Sequence, residues 1–174
     1  LWVKEDPLFT VSVNVSALQI LEEDFTAVLK QTVEEKEFPY QNLIIELTES
    51  CTAKNLRMFE ERFEELRALG IRVAMDDFGT GYSNFHYLSE LDPEIIKIDR
   101  SFTSSAVADE KEYYLLKQFC RMIHNLGLKI CIEGVENQEE WAKIQKLEPD
   151  FGQGFFWGRP CGYDEFVRQF IEKK

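Results

Sequence analysis

The chain has 174 residues, 44% of them hydrophobic and 30% charged, a balance that fits one globular domain with a sizeable core. Its net charge of -12 argues against a nucleic acid polymer as the main partner, because phosphate backbones are bound by Lys and Arg. No apolar run approaches the ~20 residues of a membrane-spanning helix, and no signal peptide pattern opens the chain. We therefore expect a cytoplasmic location and no membrane span.

The four cysteines, at positions 51, 120, 131 and 161, form no Cys-x-x-Cys pair and no zinc-type group. Most of them lie in apolar or strand-like stretches. This pattern favours buried free thiols in a reducing compartment over a disulfide framework.

The first half of the chain alternates strand and helix patterns. In chain order we predict a strand at 9–15, a helix at 17–36, a strand at 43–49, a helix ending at Gly70 and a strand at 71–77. The last of these strands ends in two adjacent carboxylates, Asp76 and Asp77. Two carboxylates at the end of a buried strand are costly without a cation or hydrogen-bond donor, so they indicate a metal site or, alternatively, an acidic turn.

The second half of the chain repeats this alternation. We predict a strand at 95–99, a helix at about 110–126, a strand at 129–133, a helix from Asn137 to Leu147, a strand at 151–156 and a closing helix at 163–172. Asn137 followed by Glu140 resembles a capping box at the start of its helix. We predict neither a helix nor a strand at residues 100–109.

Six strands that alternate with helices indicate a parallel sheet, either open and doubly wound or a (β/α) barrel. No Gly-x-Gly-x-x-Gly follows a strand, which disfavours a dinucleotide-binding sheet. Polar residues cluster at the carboxyl ends of the strands, the catalytic face of barrels. We predict a TIM-like (β/α) barrel with six of its eight strands in 1–174, the other two upstream of Leu1, and no second domain.

The polar residues at these strand ends suggest metal chemistry. Asn14, Glu46 and Asp76 offer oxygen ligands on neighbouring strands, as Mg²⁺ and Mn²⁺ prefer. With Asp77 beside Asp76, the set suits two ions, which favour in-line displacement at phosphorus. Lys97 is predicted to face the same pocket as Asp99, where it positions water or stabilises phosphate charge.

Each of these residues also has a structural interpretation. A strand-end glutamate such as Glu49 or Glu136 can cap a helix or anchor a loop. Lys97 can be an ion-pair partner of Asp76 or Glu133, and Gln153 can bond a loop backbone. The sequence alone leaves these alternatives open for any single residue.

Six strings of residues together resemble a known family. In order they are SVNVS at 12–16, ELTE at 46–49, DDFGTGYS at 76–83, IKID at 96–99, EGVE at 133–136 and QGFFWGRP at 153–160. The set resembles the EAL-domain family, the bacterial cyclic di-GMP phosphodiesterases, over about residues 9–170. The resemblance implies a TIM-like barrel and Mg²⁺- or Mn²⁺-dependent hydrolysis of cyclic di-GMP to linear pGpG, with two ions and with Ca²⁺ as an inhibitor.

The resemblance also implies a role for each matched residue. The implied metal ligands are Asn14, Glu46, Asp76 and Asp77. The implied catalytic residues are Lys97 and Glu133. The implied substrate-pocket residues are Asp99, Glu136, Gln153 and Pro160. The implied loop anchor is Glu49, with Gly79 and Gly81 in the loop that it holds.

One part of the family pattern is absent, the Glu-Ala-Leu motif whose glutamate is a metal ligand in the family. We expect that motif on the two upstream strands, and the chain as given to be inactive without it. Two alternatives to an enzyme are a receptor that binds cyclic di-GMP without cleaving it and a partner-docking module. We further expect an upstream sensory or GGDEF-type domain, a homodimer, and a parent protein that another domain can anchor to a membrane.

Overall fold

The computed structural model describes residues 6–48, 56–79, 88 and 90–172. Its six strands are β1 Val11–Val15, β2 Leu43–Thr48, β3 Arg72–Phe78, β4 Ile95–Ile98, β5 Lys129–Ile132 and β6 Phe151–Gly152. All five pairings are parallel, and the strand order follows the chain from β1 to β6. A doubly wound sheet reverses its strand order at a switch point, whereas this sheet does not. The predicted barrel-type fold is confirmed, here as a partial barrel.

The helices join successive strands. They are α1 Ala17–Ile20, α2 Phe25–Glu35, α3 Leu56–Ala68, α4 Arg100–Ala108, α5 Glu110–Asn125, α6 Gln138–Ile144 and α7 Tyr163–Phe166. Short 3₁₀ turns lie at Tyr40–Asn42 and Gln145–Leu147, and a π-helical turn, Val167–Ile171, continues α7. Among the described helices, none combines the length and the apolar character needed to cross a membrane.

The sheet buries two sets of side chains, because successive residues of a strand point to opposite faces. The larger set packs between the strands and the helices, with Ile45, Met75, Ile96 and Ile130 fully buried. The smaller set lies on the inner face of the barrel and comprises Ile44, Ala74, Ile95 and Cys131. Two residues further along each of these strands, the inner face becomes polar, with Glu46, Asp76, Lys97 and Glu133.

The predicted continuous helix at 17–36 is wrong, because the chain forms two helices there. A capping box of Ser16 and Gln19 starts α1, which ends after one turn. Between α1 and α2, the Arg62 guanidinium donates a hydrogen bond to the Glu22 carbonyl at 3.1 Å. The same carbonyl accepts the Phe25 N–H at 3.2 Å, so a tight backbone turn and a distant side chain together replace the hydrogen bond of a continuous helix.

The chain forms a helix, α4, where the sequence predicted no element. Its Ser- and Thr-rich sequence has low intrinsic helix propensity. Asp99 caps its first turn, Thr103 and Ala106 are buried, and the Thr103 hydroxyl donates a 2.6 Å hydrogen bond to the Glu133 carbonyl. Tertiary contacts therefore stabilise this helix and tie it to the end of β5.

The sixth strand is shorter than the predicted 151–156. The Gln153 N–H still donates a 2.9 Å hydrogen bond to the Ile132 carbonyl of β5, but the Gln153 carbonyl accepts the Val135 N–H at 3.2 Å. The Phe156 N–H then donates to the Val135 carbonyl at 3.1 Å, so the chain after Gly152 bonds with the loop that follows β5. Gly154 allows this turn, since a β-carbon there would lie 2.0 Å from the Val135 carbonyl oxygen.

The two ends of the sheet are bridged by aromatic side chains. Phe9, just before β1, contacts Phe166 of α7 edge to face, with ring centroids 6.3 Å apart. A flat six-stranded sheet would separate its edge strands by about 24 Å, so this contact fits a sheet that curves toward closure.

Candidate functional site

A buried lysine gathers three carboxylates at the carboxyl ends of the strands. Lys97 Nζ lies 2.7 Å from Glu46 Oε2, 3.0 Å from Asp76 Oδ1 and 2.8 Å from Glu133 Oε1. The Lys97 side chain is only 4% exposed, so water screens these contacts little. Removing either the lysine or its carboxylate partners leaves an uncompensated buried charge, which is strongly destabilising.

The charges in this cluster shift the pKa of two of its members. Burial alone would lower the pKa of Lys97, but its hydrogen bonds to Glu133, Glu46 and Asp76 outweigh burial and raise it. Burial raises the pKa of Glu133, and Lys97 offsets this only in part, because Asp76 and Glu46 repel the same carboxylate. One ammonium is therefore shared among three acids, and negative charge remains uncompensated.

A bulge in β3 brings Asp76 and Asp77 to one side of the sheet. In the pairing with β4, Met75 faces Ile96 and Phe78 faces Ile98, so β3 contains one extra residue. Asp77 adopts the left-handed conformation at φ 54°, and its N–H donates to Asp76 Oδ1 at 3.1 Å. Met75 and Phe78 consequently both pack in the outer core. A regular strand would direct neighbouring carboxylates to opposite faces.

The carboxylates of Asp76, Asp77 and Glu133 each place one oxygen within 4.8 Å of the others. The donors are all oxygen, the ligand type that Mg²⁺ and Mn²⁺ prefer, so the residues fit such an ion. Asn14, which is exposed, lies opposite Glu46 in the β1–β2 register and on the same inner face. The structure thus brings together Glu46, Asp76, Asp77, Lys97 and Glu133, with Asn14 beside them.

A cavity of about 240 Å³ opens next to Glu133, and Glu136 and Gln153 line it. Besides two glycines, the sequence analysis missed the Arg100 and Phe155 side chains in its lining. Arg100 pairs with Glu136 at 2.5 Å, between Arg100 Nη2 and Glu136 Oε1. Its position directly after the matched Asp99 is the only sequence signal that could have indicated it.

A second, larger cavity adjoins the first. It measures about 520 Å³, is lined by Pro160 and aromatic side chains, and shares Gln153 and Phe155 with its neighbour. Arg159 lies over the Phe155 ring, 4.2 Å from the centroid. Phe155 therefore lines both cavities, and each of them also has an arginine in its lining, Arg100 in the smaller and Arg159 in the larger.

The remaining predicted site residues have other surroundings. The Asp99 carboxylate accepts hydrogen bonds from the Ser101 N–H and hydroxyl, at 2.9 and 2.5 Å, and caps α4. Gly79, at φ 100°, approaches Phe102 so closely that a β-carbon there would lie 2.7 Å from the ring. Glu49 and Gly81 lie outside the described residues.

The sequence as a whole matches the family model described as the EAL domain, over residues 2–160. Among curated proteins, "Cyclic di-GMP phosphodiesterase PdeA" of Borreliella burgdorferi is 32% identical over 159 residues, which are 91% of this chain and 24% of PdeA. "Signaling protein YkoW" of Bacillus subtilis is 34% identical over 99% of this chain and 22% of YkoW. The chain thus spans about a quarter of the length of these relatives.

Solved structures share the fold. The structure described as "PaMucR Phosphodiesterase, c-di-GMP complex" superposes with a TM-score of 0.86 at 30% identity, over 95% of this chain and 67% of that one. The protein named MucR comes from Pseudomonas aeruginosa.

Proposed function

We propose that this chain, which belongs to the EAL domain family, is part of an enzyme that hydrolyses cyclic di-GMP to linear pGpG in bacterial signalling. The observation that carries the proposal is the Lys97 ammonium held among three carboxylates, next to Asp77 and a cavity of about 240 Å³. PdeA is named a cyclic di-GMP phosphodiesterase, and the MucR structure is described as a cyclic di-GMP complex.

In this proposal the acidic cluster binds two divalent ions, Mg²⁺ or Mn²⁺. Asn14, Glu46, Asp76 and Asp77 hold them, with Glu133 as a further ligand or a partner of metal-bound water. Such ions supply an activated water and neutralise the charge of a phosphodiester. Lys97 orients the attacking water by donating a hydrogen bond to it, a role that its fixed positive charge suits better than that of a base.

The adjoining cavities bind the nucleotide. Glu136 and Gln153 offer hydrogen-bonding groups for a guanine edge, and Pro160 lies in the aromatic wall where a base can stack. Asp99 acts here by positioning α4 and its first residue, Arg100, at the cavity. Glu49 and Gly81 are proposed to act with Gly79 in a loop that couples this site to a homodimer interface.

The test is turnover by the purified protein with the sequence that naturally precedes Leu1. With Mg²⁺ or Mn²⁺ it should release pGpG, seen by chromatography, and chelation should stop the reaction. Glu46→Ala and Lys97→Ala should lower kcat at least about 10³-fold, since they remove a ligand and a group that acts on the water. Lys129→Met is the matched control, because Lys129 pairs with Glu94 at the other end of the strands.

The outcome separates an enzyme from a receptor. A folded protein that binds cyclic di-GMP but releases no pGpG with either ion would contradict hydrolysis and leave a receptor. Calorimetry with Ca²⁺, which we expect to support binding without cleavage, measures that binding directly. No binding at all would favour a partner-docking module.

We also propose that two further strands, one of which bears the Glu-Ala-Leu motif, complete the barrel between β1 and β6. The structure described as "PaMucR Phosphodiesterase, c-di-GMP complex" supports this, because the chain superposes on only 67% of it. A sensory or GGDEF-type domain would then lie further upstream, as the name of MucR, "Bifunctional diguanylate cyclase/cyclic di-GMP phosphodiesterase", suggests for that relative.

A further inference from the structure

Lys97 contacts the same carboxylates that the proposed divalent ions would use. Its ammonium lies 3.0 Å from an oxygen of Asp76 and 2.8 Å from an oxygen of Glu133. These two side chains and Asp77 form the oxygen cluster that fits a metal. Any cation in that cluster therefore lies close to a fixed positive charge in a site with little water.

The charge of Lys97 reduces the attraction of the site for cations. Ionised Glu46, Asp76, Asp77 and Glu133 carry four negative charges, and the Lys97 ammonium offsets one of them.

We propose that the positive charge of Lys97 weakens the binding of divalent ions to this carboxylate cluster in the free protein. This inference rests on the proposed function and deepens it. Two like charges at contact range repel strongly where the surroundings are poor in water, and salt screens buried charges little. Removing the charge of Lys97 should therefore tighten metal binding while it abolishes turnover.

A purely structural role for Lys97 makes the opposite prediction. If the ammonium only holds Asp76 and Glu133 in place, its removal lets the two carboxylates separate and weakens metal binding. The sign of the change in affinity thus distinguishes the two roles, and catalytic activity does not enter the measurement.

The experiment is a titration of the purified protein with Mn²⁺ alone, in which the electron paramagnetic resonance signal of free Mn²⁺ reports binding. Lys97→Gln retains two N–H donors without the charge, and Lys97→Met removes both. We expect either variant to bind Mn²⁺ at least about tenfold more tightly than the wild type. Lys129→Met, which removes a lysine that is 43% exposed and paired with Glu94, should change the affinity less than twofold.

A Lys97 variant can fail to fold without metal, so the unfolding temperature of each protein is also measured with and without Mn²⁺. A Lys97 variant that folds only when Mn²⁺ is added, and then unfolds at the wild-type temperature or above, supports the inference. Equal or weaker Mn²⁺ binding by folded Lys97→Gln overturns it, even if the wild type hydrolyses cyclic di-GMP normally. If the wild type and both variants all fail to bind Mn²⁺, the result contradicts the proposed metal-dependent hydrolysis as well.

Discussion

At the scale of single residues, the conformation of Asp77 decides how the site is built. Its φ of 54° is uncommon for a residue other than glycine, although Asp and Asn adopt it more readily than other side chains. The bulge that contains it turns two adjacent carboxylates to the same side of β3. The backbone of β3 is therefore part of the metal-ligand geometry.

We predict that the side chain at position 77 controls stability through this conformation. With metal chelated, Asp77→Val should unfold with a free energy about 1–3 kcal/mol lower than Asp77→Asn, because a β-branched residue is strained in the left-handed region. Urea denaturation followed by circular dichroism measures the difference. Equal stability of the two variants would show that the backbone at 77 is not constrained.

Three described cysteines differ in their exposure. Cys120 and Cys131 are buried free thiols, and Cys161 is partly exposed. Burial raises the pKa of Cys120 and of Cys131 to about 12. The predicted free thiols are present at these positions, and Cys51 lies outside the described residues.

We predict that the two buried thiols resist alkylation in the native protein. With iodoacetamide at pH 8, peptides that contain Cys161 should be labelled first, and those with Cys120 or Cys131 only on unfolding, as mass spectrometry would show. The raised pKa means that the native state keeps the proton between pH 9 and about 12. The stabilising contribution of each thiol is thus complete below pH 9 and falls as pH rises through this window. Equal labelling of all three would contradict the burial.

At the scale of elements, the turn after β6 depends on one close backbone contact. Gly154 lies against the loop that follows β5, where a β-carbon would meet Val135 backbone atoms at 2.0 to 2.7 Å. The same turn places Gln153 and Phe155 in the cavity wall. The packing of two loops therefore shapes the proposed substrate pocket.

We predict that Gly154→Ala lowers the free energy of unfolding by more than about 2 kcal/mol, because backbone atoms cannot move aside as a flexible side chain can. Gly162→Ala is the matched control. Gly162 has no heavy atom within 4 Å of a β-carbon and an ordinary φ of -71°, so it should change stability by less than about 1 kcal/mol. Comparable losses in the two variants, measured by denaturant titration, would refute the close contact.

At the scale of the whole molecule, the described sheet has two edges, β1 and β6. Both expose apolar side chains, with Val13 at 43% and Phe151 at 41% exposure. An edge strand offers backbone groups that can pair with another chain. The net charge of -12 opposes such association through mutual repulsion.

We predict that the 174-residue chain associates as its concentration rises, and more strongly in high salt, because salt screens the repulsion between copies. Analytical ultracentrifugation at 50 and 500 mM NaCl would measure this. The control is the longer polypeptide with the two proposed upstream strands, which should form no species larger than the proposed homodimer at either salt concentration. A strictly monomeric 174-residue chain in high salt would contradict the prediction.

The sequence by itself determined the order and type of most elements. Short apolar runs ending in acid identified β2, β3 and β5, and helical spacing identified α3 and α5. Alternation then indicated the barrel-type sheet, because parallel neighbours require helical crossovers. The ordered motifs also predicted the family, which the family model confirms.

Only the tertiary structure determined where the elements predicted from local sequence are interrupted, added or shortened. The Arg62 guanidinium of α3 bonds with the Glu22 carbonyl at the break in the predicted helix 17–36, and Thr103 ties α4 to the Glu133 carbonyl. Val135 bonds with the chain that follows β6. The bulge at Asp77 and the pairing of Arg100 with Glu136 likewise depend on strands and loops that are distant in sequence. Periodicity and propensity describe a residue's neighbours along the chain, whereas these features arise from contacts between segments that only folding brings together.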